Sequence, residues 1–412
     1  MKILALLLVS FAAFAQSEEQ NDLARAVAEA GQSPVDFIRA LEKHLAKYPQ
    51  SAQRAAIEKA LVKPAMDSND HARILLYGRK QLDADPKNAE LLVYDRVIRE
   101  LVSDAAPESQ KLALAYSKSY EDAVEAMRPR AAEGHMSPAA WAEEVDKGKA
   151  RAMVLQARAT GNLGDLENAA RMAKSAWDVY PNSEAAREAA RWLEELHRVP
   201  ESLEYYGNAF SIEDPLTNAA DRDLIRRRMG ELYTKLNGSG KGLGDLILRA
   251  YDRTRVLRAE RLTAMKSKDP NAGATDLIDF TLPREGGGGL ALASLKGKTV
   301  VMDFWATWCG PCRIQHPMIE NVKKRFEKSD KVVFLSVDSD DDHSLVAPFL
   351  KDVKWEGPVY YDGGLGRLLT ISSIPTVIIL DPAGKISSRM QGFIADRFED
   401  MLVQRIGEAQ TN

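Results

Sequence analysis

The chain has 412 residues, 45% of them hydrophobic and 28% charged, with a formal net charge of -4. That length allows two or three domains with ordinary soluble cores, and the slight negative balance argues against nucleic acid as a partner. Cysteine is limited to Cys309 and Cys312, so once these two pair no thiol is left for a structural disulfide.

At the N-terminus Lys2 precedes an apolar run from Ile3 to Ala15 that closes in Ala13-Phe14-Ala15, the small-x-small pattern a signal peptidase reads. A signal peptide over residues 1–15, cut before Gln16, is therefore expected, and with it a periplasmic or otherwise exported protein. The run is shorter than the roughly 20 residues of a spanning helix, and no cysteine follows it for lipid attachment. No later segment is apolar for long enough to cross a bilayer, so no transmembrane segment is expected to be retained.

From Glu18 to Lys268 apolar residues recur at three and four spacing among Ala, Glu, Arg, Leu and Lys, which predicts helix after helix in a domain spanning 16–268. Similar breaks at Pro49, Pro86 and Pro181 each end one helix and start the next. Between Ala150 and Pro181, the residues Ala157, Gly164, Ala169, Ala176 and Pro181 occupy the small-residue, turn and terminal-proline positions of a 34-residue helical hairpin, and Pro215 follows one period later. This unit resembles a tetratricopeptide repeat with most of its large aromatic positions unfilled, and an irregular helical bundle is the alternative. Asn237 to Gly242 reads as a loop, Arg226-Arg227-Arg228 as an exposed helix face, and Lys266 to Ala274 as the interdomain connection.

From Thr275 the character changes. Thr299 to Trp305, Lys331 to Val337 and Thr376 to Leu380 read as strands, with a helical pattern from Cys312 to Phe326 between the first two. Strands alternating with helices imply an α/β domain over 272–412 behind the all-α helical-hairpin region. Both cysteines then stand where a buried strand turns into a helix. Unpaired N–H groups at the helix start favour a thiolate, so Cys309 is expected to be the exposed nucleophile with a lowered pKa. Pro311 suits the first helical turn, and Pro317 should kink the helix one turn later.

The run Asp303-Phe304-Trp305, then Trp308-Cys309-Gly310-Pro311-Cys312, with Pro317 beyond, resembles thioredoxin. Asp279-Phe280-Thr281-Leu282-Pro283 and Leu295-Lys296-Gly297-Lys298 are similar to the lead-in of the exported TlpA/ResA branch, and the interval from Cys312 to Pro375 leaves room for the inserted helix of that branch. The resemblance covers 272–412, one third of the chain. It implies a thioredoxin-like fold in which the Ile374–Pro375 bond is cis and faces the cysteines, Ile374 offers backbone groups to a substrate strand, and Gly392 lets substrate backbone approach. Trp308, Gly310 and Pro311 would complete the substrate-facing surface.

The resemblance also makes Asp303 the buried carboxylate that deprotonates Cys312, a role burial favours by raising its pKa. Phe334 stands where thioredoxin has a lysine beside that carboxylate. The implied reaction is reduction of client proteins: Cys309 attacks a client disulfide, Cys312 resolves the mixed disulfide, and an electron donor not identifiable from the sequence restores the dithiol. No cofactor beyond the Cys309–Cys312 disulfide and no metal is implied.

Other chemistries fit less well. A zinc site needs four ligands, and only His316 and His343 lie near the cysteine pair. A two-residue loop makes a poor structural disulfide. The proline and threonine that peroxidases of this fold place upstream of the reactive cysteine are Met302 and Ala306 here. Asp338 to Asp342 lacks the glycine and glutamate of a calcium loop, holding His343 and Phe349 at those places, and reads as a solvated loop; Gly286 to Gly289 reads as a flexible turn. Two functional alternatives stay open: an interaction scaffold with a non-catalytic thioredoxin-like domain, and a disulfide isomerase.

Overall fold

The computed structural model describes residues 18–128, 138–393 and 395–411, so the expected signal peptide lies outside the described residues. The chain divides into two compact units, one made of 1–127 with 146–251 and one of 128–145 with 252–412.

The first unit is helical, and its breaks fall at the prolines. Helices Pro34–Lys47 and Arg54–Asp67 flank Pro49, Arg79–Ala84 and Leu91–Ser103 flank Pro86, and Leu166–Val179 and Ser183–Glu195 flank Pro181. Side-chain caps start several of them: Asp165 accepts from the Asn168 amide, Asn182 from that of Ala185, and Asn218 with Asp221 forms a capping box. Small residues set the spacing of the helices. Ala157, Ala169, Ala170, Ala173 and Ala189 pack around Trp192 and Leu193, and at Gly161 a Cβ would lie 2.4 Å from the Trp192 ring. Ion pairs cross the same helices: Arg99 contacts Asp95 and Glu184, and Arg158 contacts Glu184 and Glu188.

The second unit contains a five-stranded mixed sheet in the order β5-β4-β3-β6-β7. Its strands are β3 (Thr299–Trp305), β4 (Val332–Asp338), β5 (Val359–Tyr361), β6 (Thr376–Leu380) and β7 (Ile386–Gln391), while the short β1 (Thr281–Pro283) and β2 (Gly289–Ala291) form a separate hairpin. β3, β4 and β5 run parallel, β6 pairs antiparallel with β3, and β7 pairs antiparallel with β6. The helix Val346–Val353 connects β4 to β5 and occupies part of the long interval before Pro375.

β3 is buried on both faces, as a central strand must be, and its alternation assigns each residue a side. Val300, Met302 and Phe304 enter one core with Leu335, Val337 and Ile378. Val301 enters the opposite core with Ile319 and Val322 of the helix Gly310–Arg325 and with Phe398, Leu402 and Ile406 of the helix Phe398–Gln410. Asp303 and Trp305 share the parity of Val301, which turns them toward the helix that carries the cysteines.

Candidate redox site

Cys309 and Cys312 are joined in a disulfide with Cα atoms 5.3 Å apart. The helix begins at Gly310, two residues before the sequence-based start, because Cys309 itself is its N-cap: the Cys309 Sγ accepts the Cys312 amide at 3.2 Å. This bond and the helix dipole both favour negative charge on that sulfur once the disulfide is opened. Pro311 occupies the first turn, and the helix continues past Pro317 to Arg325.

The expectation of an exposed first thiol is corrected. Cys309 and Cys312 are each 3% exposed, enclosed by an apolar cluster that includes Trp305, Ala306, Val346 and Val359, with Ile374 packed against it. The open surface is the rim instead: Trp308 is 71% exposed, and Gly310 and Pro311 are exposed. The Ile374–Pro375 bond is cis. Gly392 donates its amide to the Pro375 carbonyl at 2.9 Å, at φ +80°, with nothing within 4 Å of where a Cβ would project. A strip of backbone without side chains thus borders the cis-proline loop.

Asp303 is 6% exposed. Burial pushes its carboxyl up to about 7, the bond from the Gln315 amide pulls it down, and nearby Glu320 adds to the rise. Gln315 Nε2 donates to Asp303 Oδ1 at 3.4 Å. In β4 Phe334 pairs with Val301 and Ser336 with Asp303. Both β4 residues line a cavity of about 180 Å³ that Asp303 also borders.

The segment after β4 is a second correction. Asp338, Ser339 and Asp340 are 0%, 5% and 5% exposed, so the first three residues of this stretch are not solvated, while Asp341 and Asp342 are exposed as expected. Its carboxylates are used internally. Asp340 accepts from the Thr307 amide at 2.7 Å and the Thr307 hydroxyl at 3.0 Å, fixing the turn two residues ahead of Cys309. Asp338 accepts from the Asp340 amide at 3.3 Å, and burial together with Asp340 pushes its own carboxyl up to about 9. Asp362 accepts from the Gly364 and Gly366 amides and from the Ser339 hydroxyl.

Comparison with known proteins agrees with this arrangement. A family described as thioredoxin-like matches residues 297–386. The thiol-disulfide oxidoreductase ResA of Bacillus subtilis is 30% identical over 131 residues, which is 31% of this chain and 73% of that protein. ResA of Bacillus cereus is 31% identical over 125 residues, 30% of this chain and 67% of that protein. The chain belongs to the ResA-type thiol-disulfide oxidoreductases. Among solved structures, the exposed lipoprotein thioredoxin Etrx1 of Streptococcus pneumoniae is 28% identical and covers 31% of this chain and 98% of its own, with a TM-score of 0.29.

The ResA-type match is confined to the C-terminal third, and the chain places a helical region ahead of it. Within the site two groups escaped the sequence reading. Gln315 lies three residues after Cys312 on the buried helix stripe of Cys312, Ile319 and Val322, where a polar residue among apolar ones was the available signal. Asp340 had no such signal, since its partner Thr307 is 33 residues away in the chain.

Proposed function

We propose that this ResA-type protein is an exported reductase that opens disulfides of client proteins. The reading is carried by one arrangement: a cysteine capping a helix, with its partner cysteine on a face that also meets a buried carboxylate held near neutral pKa. In the dithiol form, Cys309 thiolate attacks one sulfur of a client disulfide, forming a mixed disulfide while the client S–S bond breaks and its other sulfur leaves as a thiolate that takes a proton from water. Cys312 passes its proton to Asp303, attacks the Cys309 sulfur and releases the client as a thiolate that takes a proton from water. The exposed rim of Trp308, Gly310 and Pro311, the cis-proline loop at Ile374 and Pro375, and the open backbone at Gly392 would receive the client chain. Export is supported by the apolar run ending in Ala13-Phe14-Ala15, and the helical region, repeat-like in sequence, would hold or recruit the client.

The test uses the full chain in an insulin-reduction assay and as a trap. Wild type should reduce insulin, Cys309→Ser should abolish the activity, and Cys312→Ala should accumulate client proteins linked to Cys309. The close cover of both cysteines favours one second reading, a scaffold with an inert disulfide. An inactive wild type whose disulfide is chemically reducible, together with an empty Cys312→Ala trap, would establish that reading.

A further inference from the structure

A buried base that accepts a proton in every catalytic cycle also has to lose it. Asp303 is closed off from solvent, and the position that holds a lysine in thioredoxin is the apolar Phe334. The cavity beside Asp303 has a polar wall nonetheless: His316, Glu320 and Lys323 from the redox helix, Ser336 from β4 and Glu356 from the loop before β5. The three helix residues follow i, i+4, i+7 spacing and so share one face, adjacent to the stripe that carries Cys312 and Gln315.

His316, on the cavity wall, has a buried Nδ1 without a partner, and on the neighbouring helix stripe Oε1 of Gln315, whose amide holds Asp303, lacks one as well. Orphans of this kind mark ordered water, and the volume of about 180 Å³ accommodates several waters at about 30 Å³ each. His316 stacks on Trp355 with ring centroids 3.6 Å apart, which fixes the ring at the cavity wall. Burial lowers its pKa, so it is neutral near pH 7 and adds no cation there. Glu320 is the contrasting carboxylate: its side chain is 34% exposed, and Lys323 Nζ donates to its Oε1 at 2.9 Å. One cavity therefore joins a dry carboxylate to a carboxylate in contact with solvent.

We propose that this cavity is a water-filled proton exit leading from Asp303 to Glu320, with Glu320 as the relay that hands the proton to solvent. The proposal rests on the role given to Asp303 above. In the resolving step the S–H bond of Cys312 breaks and its proton goes to Asp303. The Cys312 sulfur forms the disulfide with Cys309, and the client leaves with the electron pair of the broken mixed disulfide. The carboxylic acid of Asp303 then gives its proton to cavity water, which passes it to Glu320 and on to solvent, and the base is restored without a further oxidant or reductant. Lys323 positions the relay.

The experiment mixes the reduced full-length chain with 5,5'-dithiobis(2-nitrobenzoic acid) in a stopped-flow instrument. The first thionitrobenzoate released reports attack by Cys309, and the second reports resolution by Cys312. Asp303, held near 7, is partly protonated at pH 7 and in that form must be emptied through the exit before Cys312 can resolve, so Glu320→Gln, which keeps the size of the residue, should leave the first phase unchanged and slow that fraction of the second about tenfold in dilute buffer, part of the 10²–10⁴-fold that positioned proton transfer supplies. Added imidazole should restore that second phase, because a diffusible base replaces a relay but not a packing contact. A second phase at the wild-type rate in Glu320→Gln, or a slowed one that imidazole leaves unchanged, overturns the relay. Asp303→Asn separates the two layers: slowing of its second phase keeps Asp303 as the base whatever Glu320 does, and an unchanged second phase removes the reading on which the relay stands.

Discussion

Replacing Asp303 by Asn should stabilise the protein at alkaline pH and leave it almost unchanged in acid. The folded protein holds the Asp303 proton to about pH 7, whereas the ordinary value is 3.8. Between those values the native state binds a proton that the unfolded chain has lost, so stability falls as pH rises from about 4 to about 7 and is flat above. About three powers of ten in proton affinity, at about 1.4 kcal/mol each, give a loss of about 4 kcal/mol at pH 8. Asn removes that loss and still accepts from Gln315 Nε2 through its own carbonyl oxygen. With a urea slope of about 2 kcal/mol/M, the unfolding midpoint of the C-terminal unit should rise by about 2 M at pH 8. The measurement is urea unfolding of the oxidised full chain, with this unit isolated by pulsed hydrogen exchange at peptides from β3 and β6. Asp338, held up to about 9, titrates in both proteins and cancels in their difference. No gain at pH 8, or an equal gain at pH 4 and pH 8, refutes the argument, because neither pattern follows the proton.

Other consequences rest on single contacts. Asp340→Ala leaves two buried Thr307 donors unpaired and should cost about 2–4 kcal/mol in urea unfolding, with a parallel fall in insulin reduction as the turn before Cys309 loosens. In Gly392→Val the Cβ meets no neighbouring atom but the residue is forced to φ +80°, so about 1–2 kcal/mol of stability should be lost; a rise in KM for insulin at constant kcat would show that client backbone passes there. In the helical unit Glu184 joins Arg99 and Arg158, and burial, which would raise its carboxyl, is outweighed by these arginines, which hold it at about 2. Glu184→Ala should therefore cost about 1–2 kcal/mol, less than for a fully buried pair because both partners are partly exposed and Glu188 still holds Arg158, as read from the thermal unfolding of that unit.

What could be read in the sequence was what local chemistry dictates. Two strands, Thr299–Trp305 and Thr376–Leu380, are fully buried and mostly apolar, and both were legible to the residue. The β4 strand, expected from Lys331 to Val337, is displaced one residue to Val332–Asp338, its polar last residue Asp338 still pairing with Trp305. The three-residue strands β1, β2 and β5 carry too few side chains for a period to show, and β7, Ile-Ser-Ser-Arg-Met-Gln, is mostly polar. At the site, the cysteine pair was visible through its spacing, and Asp303 through the resemblance of its strand end to thioredoxin. The cover over the cysteines and the burial of Asp338 and Asp340 depend on contacts between segments far apart in the chain, which no local pattern records.

The two raised carboxylates stand at related places, and this links the stability of the fold to its chemistry. In the parallel ladder of β3 and β4, Asp303 pairs with Ser336 and Trp305 with Asp338, so both acids lie toward the C-terminal ends of adjacent central strands, where α/β sheets open their ligand sites. Each opposes folding in its ionised form, and an apolar residue at either position would satisfy the surrounding core better. Asp338 is buried beside Asp340, which orders Thr307 ahead of Cys309, while Asp303 faces the helix stripe of Cys312 and Gln315. Both raised carboxylates therefore lie on segments that carry or brace the disulfide turn, beside the apolar clusters on the two faces of the sheet. Placing the destabilising carboxylates beside the sulfur chemistry, where a turn is fixed or a proton taken, trades stability for reactivity, and the fall in stability contributed by Asp303 should level off at the same pH, near 7, at which thiol resolution titrates.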